Sequence, residues 1–136
     1  MKRCLIDAGP LIALFDRSDK YHILIKDFMK SFRGRLYTSW PVITEALHML
    51  DFSVETQMNL LEWIKRGSLE VKDISRENIG RIIELSKKYS DVPMDFAEAT
   101  LIIISEIESI KEIISIDSDF YIYRNIRNEY IMNIFR

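Results

Sequence analysis

Short apolar segments, each too brief for a buried helix, alternate along this chain with longer segments of helical periodicity. The apolar segments predict strands over residues 3–6, 36–38, 69–73, 113–116 and 130–135. Apolar strands that are separated by helices are typical of a parallel sheet with helices on both faces. We therefore expect an α/β protein, an α/β/α sandwich around a central parallel sheet of four to five strands.

The intervening segments predict helices over residues 11–16, 22–32, 41–50, 56–66, 78–89 and 95–109, with a helical turn at 121–126. Pro41 fits the first turn of a helix, with Ser39 or Trp40 near its cap, and Gly67 follows a helix end. Residues 95–109 are ambiguous, because 101–104 favour strand by propensity. The length of the segment and its alanine and glutamate content favour a helix.

The size and composition of the chain fit one domain in a reducing compartment. A chain of 136 residues with 48% hydrophobic content can bury a core as a single domain, residues 1–136, without disulfides. Its one cysteine, Cys4, excludes an intramolecular disulfide. No apolar run approaches the ~20 residues of a membrane helix, and Asp7 interrupts the apolar start too early for a signal peptide. We expect a cytoplasmic protein with no membrane contact.

Acidic residues recur at the predicted strand ends and helix starts, where an open parallel sheet binds its ligands. Asp7 follows the first strand, and Asp117 follows the fourth. Glu45 lies in the first turns of one helix, and Asp95 and Glu98 share a face at the start of another. Each acid alone is also typical of a turn, a helix cap or a solvated surface.

Apolar neighbours surround these acids, which raises the free-energy cost of ionising them. A buried carboxylate without a partner costs several kcal/mol, and carboxylates that share a cleft raise one another's pKa values. No basic residue lies within the same segments. A divalent cation is the simplest remedy, and ligation by oxygen alone favours Mg²⁺ or Mn²⁺ over Zn²⁺.

Other chemistries fit the sequence less well. His48 follows Glu45 in an E-x-x-H spacing, but a di-iron bundle needs that motif twice, and the chain has it once. A phosphatase with an aspartate nucleophile would need an acid where Gly9 stands. The acidic pair and lysine of a response-regulator receiver are not evident, and the chain has no glycine-rich phosphate loop.

Four segments of the chain carry a resemblance to a known family. They read LIDAGPLIAL at 5–14, TSWPVITEA at 38–46, DVPMDFAEATL at 91–101 and SIDSDF at 115–120. In this order and at this spacing they resemble the four motifs of PIN-domain ribonucleases, especially the VapC-like toxins of type II toxin–antitoxin systems. Each motif alone is weakly specific, whereas the four together span residues 5–120 and are strongly so.

The resemblance implies roles for the five acids. Asp7, Glu45 and Asp117 take the family's metal-binding positions. The third motif departs from the family, because Glu98 stands where an aspartate is usual and Asp95 is an extra acid found in one branch. We expect all five to be catalytic, with Asp7, Asp117 and either Asp95 or Glu98 in direct contact with the metal. Which of the last two is the inner ligand is left open.

Two further residues join the candidate site as auxiliary groups. Ser115 stands where the family often has a serine or threonine, and we expect its hydroxyl to hydrogen-bond to a carboxylate or a metal-bound water. Asp119 follows two residues after Asp117. An aspartate in that position is also common as a loop or cap residue.

The resemblance implies an endoribonuclease that uses one or two Mg²⁺ or Mn²⁺ ions, is neutralised by a cognate antitoxin and forms a homodimer. The net charge of −2 argues against binding RNA by bulk positive charge. Setting the five acids aside leaves 16 acidic against 19 basic residues, so the remaining surface is mildly positive. The alternative is a PIN-like module that has lost activity and binds RNA or protein, and the glutamate at position 98 is its support.

Overall fold

A computed structural model describes residues 2–92, 94–117, 123 and 129–135. The strands are β1 (Arg3–Ile6), β2 (Arg35–Ser39), β3 (Leu69–Lys72), β4 (Glu112–Ile114) and β5 (Met132–Asn133). They form one sheet in the order β3-β2-β1-β4-β5, and every neighbouring pair is parallel. The predicted parallel sheet is confirmed, at the upper end of the expected strand number.

Helices pack around this sheet in the predicted α/β/α arrangement. They are α1 (Ala8–Phe15), α2 (His22–Ser31), α3 (Trp40–Met49), α4 (Val54–Lys65), α5 (Ile79–Lys88) and α6 (Phe96–Glu108), with a 3₁₀ turn at Arg76–Asn78. Helix α1 contacts α2, α3 and α4, whereas α6 contacts α3, α5 and β2. Within the described part of the chain, none of these helices has the length and apolar content of a membrane span.

Local sequence signals begin and end the helices near the site. The Ser39 hydroxyl caps α3 by accepting a hydrogen bond from the N–H of Val42 (3.4 Å), and Pro41 lies in the first turn. After α4, Gly67 has φ +82°, a left-handed conformation that glycine adopts without a steric penalty. These caps confirm the predicted boundaries of α3 and α4 to within about two residues. Helix α1 begins at Ala8 rather than at the predicted residue 11, because the Asp7 side chain caps it there.

The core explains why residues 95–109 are ambiguous by sequence. Helix α6 is buried all round from Ala97 to Ser105, so it lacks the polar face that marks most helices. The central strands are equally apolar, and Leu5, Ile6, Ile113 and Ile114 are 0% exposed. The segment is a helix, as its length and composition predict.

Two predicted strands are shorter than expected. Strand β4 ends at Ile114 rather than at 116, and β5 covers only Met132–Asn133 rather than 130–135. The reason is that the side chain of Asn133, and not a neighbouring backbone, hydrogen-bonds to the backbone of Ser115. The predicted helical turn at 121–126 lies outside the described residues except for Tyr123, which is buried in the core.

Candidate active site

The strand order creates a topological switch point between β1 and β4. From β1 the chain adds β2 and β3 on one side, and it then returns to add β4 on the other side of β1. Open parallel sheets bind their ligands beyond the carboxyl ends of the strands at such a point. Asp7 directly follows β1 there, and Asp117 lies three residues beyond the end of β4.

Backbone hydrogen bonds hold Asp7 in place at the switch point. Asp7 is the N-cap of α1, and its Oδ1 accepts a hydrogen bond from the N–H of Ala8 (2.8 Å). Its own N–H donates to the carbonyl of Ile114 (3.1 Å), which ties it to the end of β4. The residue is only 8% exposed, so a charge on its carboxylate is poorly hydrated.

The two acids of α6 form a reciprocal cap at the start of that helix. The Asp95 Oδ1 accepts from the N–H of Glu98 (2.7 Å), and the Glu98 Oε1 accepts from the N–H of Asp95 (3.1 Å). The second oxygen of Glu98, Oε2, is buried and has no hydrogen-bond partner among the described residues. Capping therefore uses one oxygen of Glu98 and leaves the other facing inward.

The structure brings all five predicted acids to one cleft of about 260 Å³. Glu45 reaches it from α3 with an exposed side chain, and Asp95 is likewise exposed at the start of α6. The cleft is lined by Asp7, Ala8, Gly9, Glu45, Asp95, Glu98, Ile116 and Asp117. A wider cleft of about 530 Å³ lies between the ends of α1 and α4, so convergent chemistry and not size distinguishes the acidic one. Asp119 lies outside the described residues.

Burial and nearby carboxyls raise the pKa values of Asp7, Glu45 and Glu98. Burial raises the pKa of Asp7 to about 7 against the opposing effect of the Ala8 N–H, and the nearby acids add to the rise. Burial likewise raises the pKa of Glu98 to about 8, with further contributions from neighbouring carboxyls. The pKa of Glu45 is raised first by partial desolvation of its carboxyl at the rim of the cleft and second by Asp95. The cleft therefore favours protons or a cation at neutral pH.

The donor set of the cleft fits a hard divalent cation. All of its ionisable groups are carboxylates, and neither Asp7 nor Glu98 forms an ion pair within the described ranges. As the described side chains stand, no three of them are arranged to hold one ion together. Mg²⁺ usually keeps several waters and takes one or two carboxylates, so this arrangement is compatible with a hydrated ion. The buried Glu98 Oε2 and the Asp117 carboxyl, which helps to raise the Glu98 pKa, mark a place where a proton or a cation is favourable.

Ser115 links two of the acids, as the sequence predicts for its hydroxyl. Its Oγ donates to the Asp7 Oδ2 (3.3 Å) and accepts from the N–H of Asp117 (3.0 Å). Ser115 is itself held by Asn133 on β5, a residue that sequence reasoning missed. The available signal was a single polar residue within the apolar run at 130–135.

A second buried contact that the sequence does not reveal joins the helices that carry Glu45 and Glu98. The hydroxyls of Ser39 and Thr100 lie 2.7 Å apart, and both residues are 0% exposed. Thr100 also donates to the carbonyl of Ala97 (2.6 Å). This pair connects the start of α3 to α6, the two helices that bring Glu45 and Glu98 to the cleft.

The chain is similar to solved structures of the VapC class. VapC20 of Mycobacterium tuberculosis, described as a toxin that cleaves the sarcin–ricin loop, matches with TM-score 0.74 and 17% identity, over 85% of this chain and 91% of that one. VapBC2 of Rickettsia felis, bound to a DNA fragment from its promoter, matches with TM-score 0.63 and 12% identity, over 96% of each chain. No family sequence model and no curated protein matches the chain. The fold is that of VapC-like PIN-domain toxins, as the four sequence motifs predict.

Proposed function

We propose that this chain is an endoribonuclease that depends on Mg²⁺ or Mn²⁺ and acts as a toxin under the control of an antitoxin. The observation that carries the proposal is the acidic cleft at the switch point between β1 and β4. Two of its carboxylates, on Asp7 and Glu98, are almost fully buried and have no cationic partner in the described chain. Such a cluster is costly for folding, so its retention is best explained by catalysis.

Each acid has a role that follows from its surroundings. Asp7 and Glu98 would hold the ion, because both are buried, and Asp117, which Ser115 links to Asp7, would hold it through a water. When bound, the ion supplies Lewis-acid activation of a water and neutralises charge on the phosphodiester. Asp95 mainly caps α6, since its Oδ1 already accepts the N–H of Glu98.

Glu45 is the best candidate to take the proton from the attacking water. Its side chain is exposed at the rim of the cleft, where a substrate would enter. Its pKa is raised by burial and by Asp95, which makes its carboxylate a stronger base than an ordinary glutamate. A carboxylate oxygen of Glu45 would therefore accept the proton, and the buried carboxylates of Asp7 and Glu98 would hold the ion.

The substrate and the partner are suggested by the similar proteins. VapC20 is described as cleaving the sarcin–ricin loop, which is RNA, and VapBC2 is a complex with a partner protein. Exposed apolar side chains along one stretch are compatible with a protein partner or a homodimer, namely Met49, Phe52, Val54, Met58 and Leu61. We propose a cytoplasmic location because of the similarity to these VapC proteins.

A metal-dependent cleavage assay tests the proposed function. Purified protein is incubated with structured RNA in Mn²⁺ or Mg²⁺, and parallel reactions contain EDTA or the variant Asp7→Asn. We expect cleavage that EDTA abolishes and that Asp7→Asn lowers by at least about 100-fold, since the variant keeps the shape of the side chain and removes its charge. Asp27→Asn is the matched control, because Asp27 is exposed on α2 and pairs with Lys30, away from the cleft.

Two results would contradict the nuclease proposal. Cleavage that continues in EDTA would rule out the metal-dependent mechanism. RNA binding without any cleavage, unaffected by Asp7→Asn, would favour the inactive binding module instead.

A further inference from the structure

The side-chain amide of Asn133 takes the place of a backbone hydrogen-bond partner for Ser115 beside the candidate site. Its Oδ1 accepts a hydrogen bond from the N–H of Ser115 (3.2 Å), and its Nδ2 donates to the carbonyl of Ser115 (2.8 Å). Both residues are buried, Asn133 at 4% and Ser115 at 0% exposure. One amide group thus satisfies both backbone groups of Ser115 just beyond the end of β4.

Ser115 passes this constraint on to the acids of the cleft. Its Oγ donates to the Asp7 Oδ2 (3.3 Å) and accepts from the N–H of Asp117 (3.0 Å). The position of this hydroxyl depends on the Ser115 backbone, because the residue follows β4 and lacks a backbone partner on β5. A shift of that backbone would therefore move the contacts of Asp7 and Asp117 together.

We propose that Asn133 is a positioning residue of the metal centre, which it serves by clamping the backbone of Ser115 and thereby orienting Asp7 and Asp117. The inference rests on the proposed metal-dependent function. Asn133 does not line the cleft, so it touches neither substrate nor ion directly. Groups that orient metal ligands from behind typically change metal affinity by about 10- to 100-fold when they are removed.

Asn133 also has a purely structural contact, which the test has to separate from the clamp. Its Oδ1 accepts a hydrogen bond from the N–H of Phe135 (3.1 Å), an Asx turn that ends β5. A shorter hydroxyl side chain can form a similar turn but cannot reach both backbone groups of Ser115. Asn133→Ser therefore keeps the turn and removes the clamp.

The experiment measures Mn²⁺ binding to the purified protein without RNA, from the loss of the electron paramagnetic resonance signal of free Mn²⁺. The variants are Asn133→Ala and Asn133→Ser. Gln57→Ala is the matched control, because the Gln57 amide also donates to a backbone carbonyl, that of Leu47, at 2.8 Å. We expect both Asn133 variants to raise the dissociation constant for Mn²⁺ at least about tenfold, and Gln57→Ala to change it by less than about twofold because its site is separate.

A double-mutant cycle shows whether the effect passes through Ser115. In the Ser115→Ala background, we expect Asn133→Ser to weaken Mn²⁺ binding by less than about threefold, because the hydroxyl it positions is already absent. If the effects of Asn133→Ser and Ser115→Ala on Mn²⁺ affinity were fully additive, Asn133 would act independently of the Ser115 hydroxyl. That result would overturn the proposal.

The outcomes separate this inference from the proposed function. If Mn²⁺ binds to the wild type and depends on Asn133 but no RNA is cut, the positioning role stands and the nuclease proposal fails. Mn²⁺ affinity within about twofold of wild type in folded Asn133→Ser would overturn the positioning role alone. A wild-type chain that binds no Mn²⁺ would overturn both.

Discussion

Asp95 and Glu98 show how one short motif serves both the helix and the candidate site. Each carboxylate caps the N–H of the other residue, so both contribute to the start of α6. They differ in burial, since Glu98 is 6% exposed and Asp95 is an exposed residue. The sequence places both acids on one helical face, but only burial indicates that Glu98 has the oxygen left for an ion.

Two matched substitutions test this assignment. Asparagine caps helices as well as aspartate does, so Asp95→Asn should weaken Mn²⁺ binding by less than about fivefold, through the loss of an exposed charge. Glu98→Gln removes the buried charge and should weaken Mn²⁺ binding at least about tenfold. Titration calorimetry measures both affinities. The reverse ranking would make Asp95 the inner ligand.

At the scale of elements, periodicity predicted the strands and helices better than it predicted their ends. Helix α6 has no polar face over Ala97–Ser105, so only its length and composition separate it from a strand. Strand β5 is shorter than its apolar run. The Asn133 side chain accepts hydrogen bonds from the N–H of Phe135, which forms a turn, and from the N–H of Ser115. A pattern of apolar residues reports burial, and it does not report where a side chain replaces a backbone partner.

Replacing two glycines near helix ends by alanine should change the free energy of unfolding in opposite directions, which tests the backbone conformation at each position. Gly67 has φ +82°, so Gly67→Ala should destabilise the protein by about 1 kcal/mol. Gly80 lies within α5, and an added Cβ there meets nothing within 4 Å. Gly80→Ala should therefore stabilise the protein by about 0.5–1 kcal/mol. Urea unfolding of the two variants measures both changes, and equal signs would contradict the backbone argument.

At the scale of the whole molecule, we expect the acidic cleft to link stability to pH and to the proposed metal. Asp7 and Glu98 have pKa values raised to about 7 and about 8, mainly by burial. Between about pH 4 and these raised pKa values, the carboxyls of Asp7 and Glu98 keep their protons in the folded chain but have lost them in the unfolded chain. Without metal, the free energy of unfolding should therefore fall as pH rises from about 4 towards about 8.

Unfolding in EDTA at two pH values tests this linkage. Between pH 5.5 and pH 8.5, the Asp7 carboxyl alone should lower the free energy of unfolding by about 2 kcal/mol. Asp7→Asn should lack that part of the decrease, because the amide does not titrate. Mn²⁺ should restore stability at pH 8.5 in the wild type by binding only the folded state. An unfolding free energy that is equal at both pH values in EDTA would contradict the burial of Asp7 without a cationic partner among the described residues.

The sequence by itself determined the alternation of strands and helices and the placement of acids at their ends. Those features follow from the order of neighbouring residues, because periodicity and caps act over a few positions. Only the tertiary structure decided that Oε2 of Glu98 is buried and that the Asn133 amide hydrogen-bonds to the backbone of Ser115, 18 residues away. It also decided that Ser39 meets Thr100, 61 residues away. Contacts between such distant residues depend on strand register and helix packing, which no local pattern of side chains encodes.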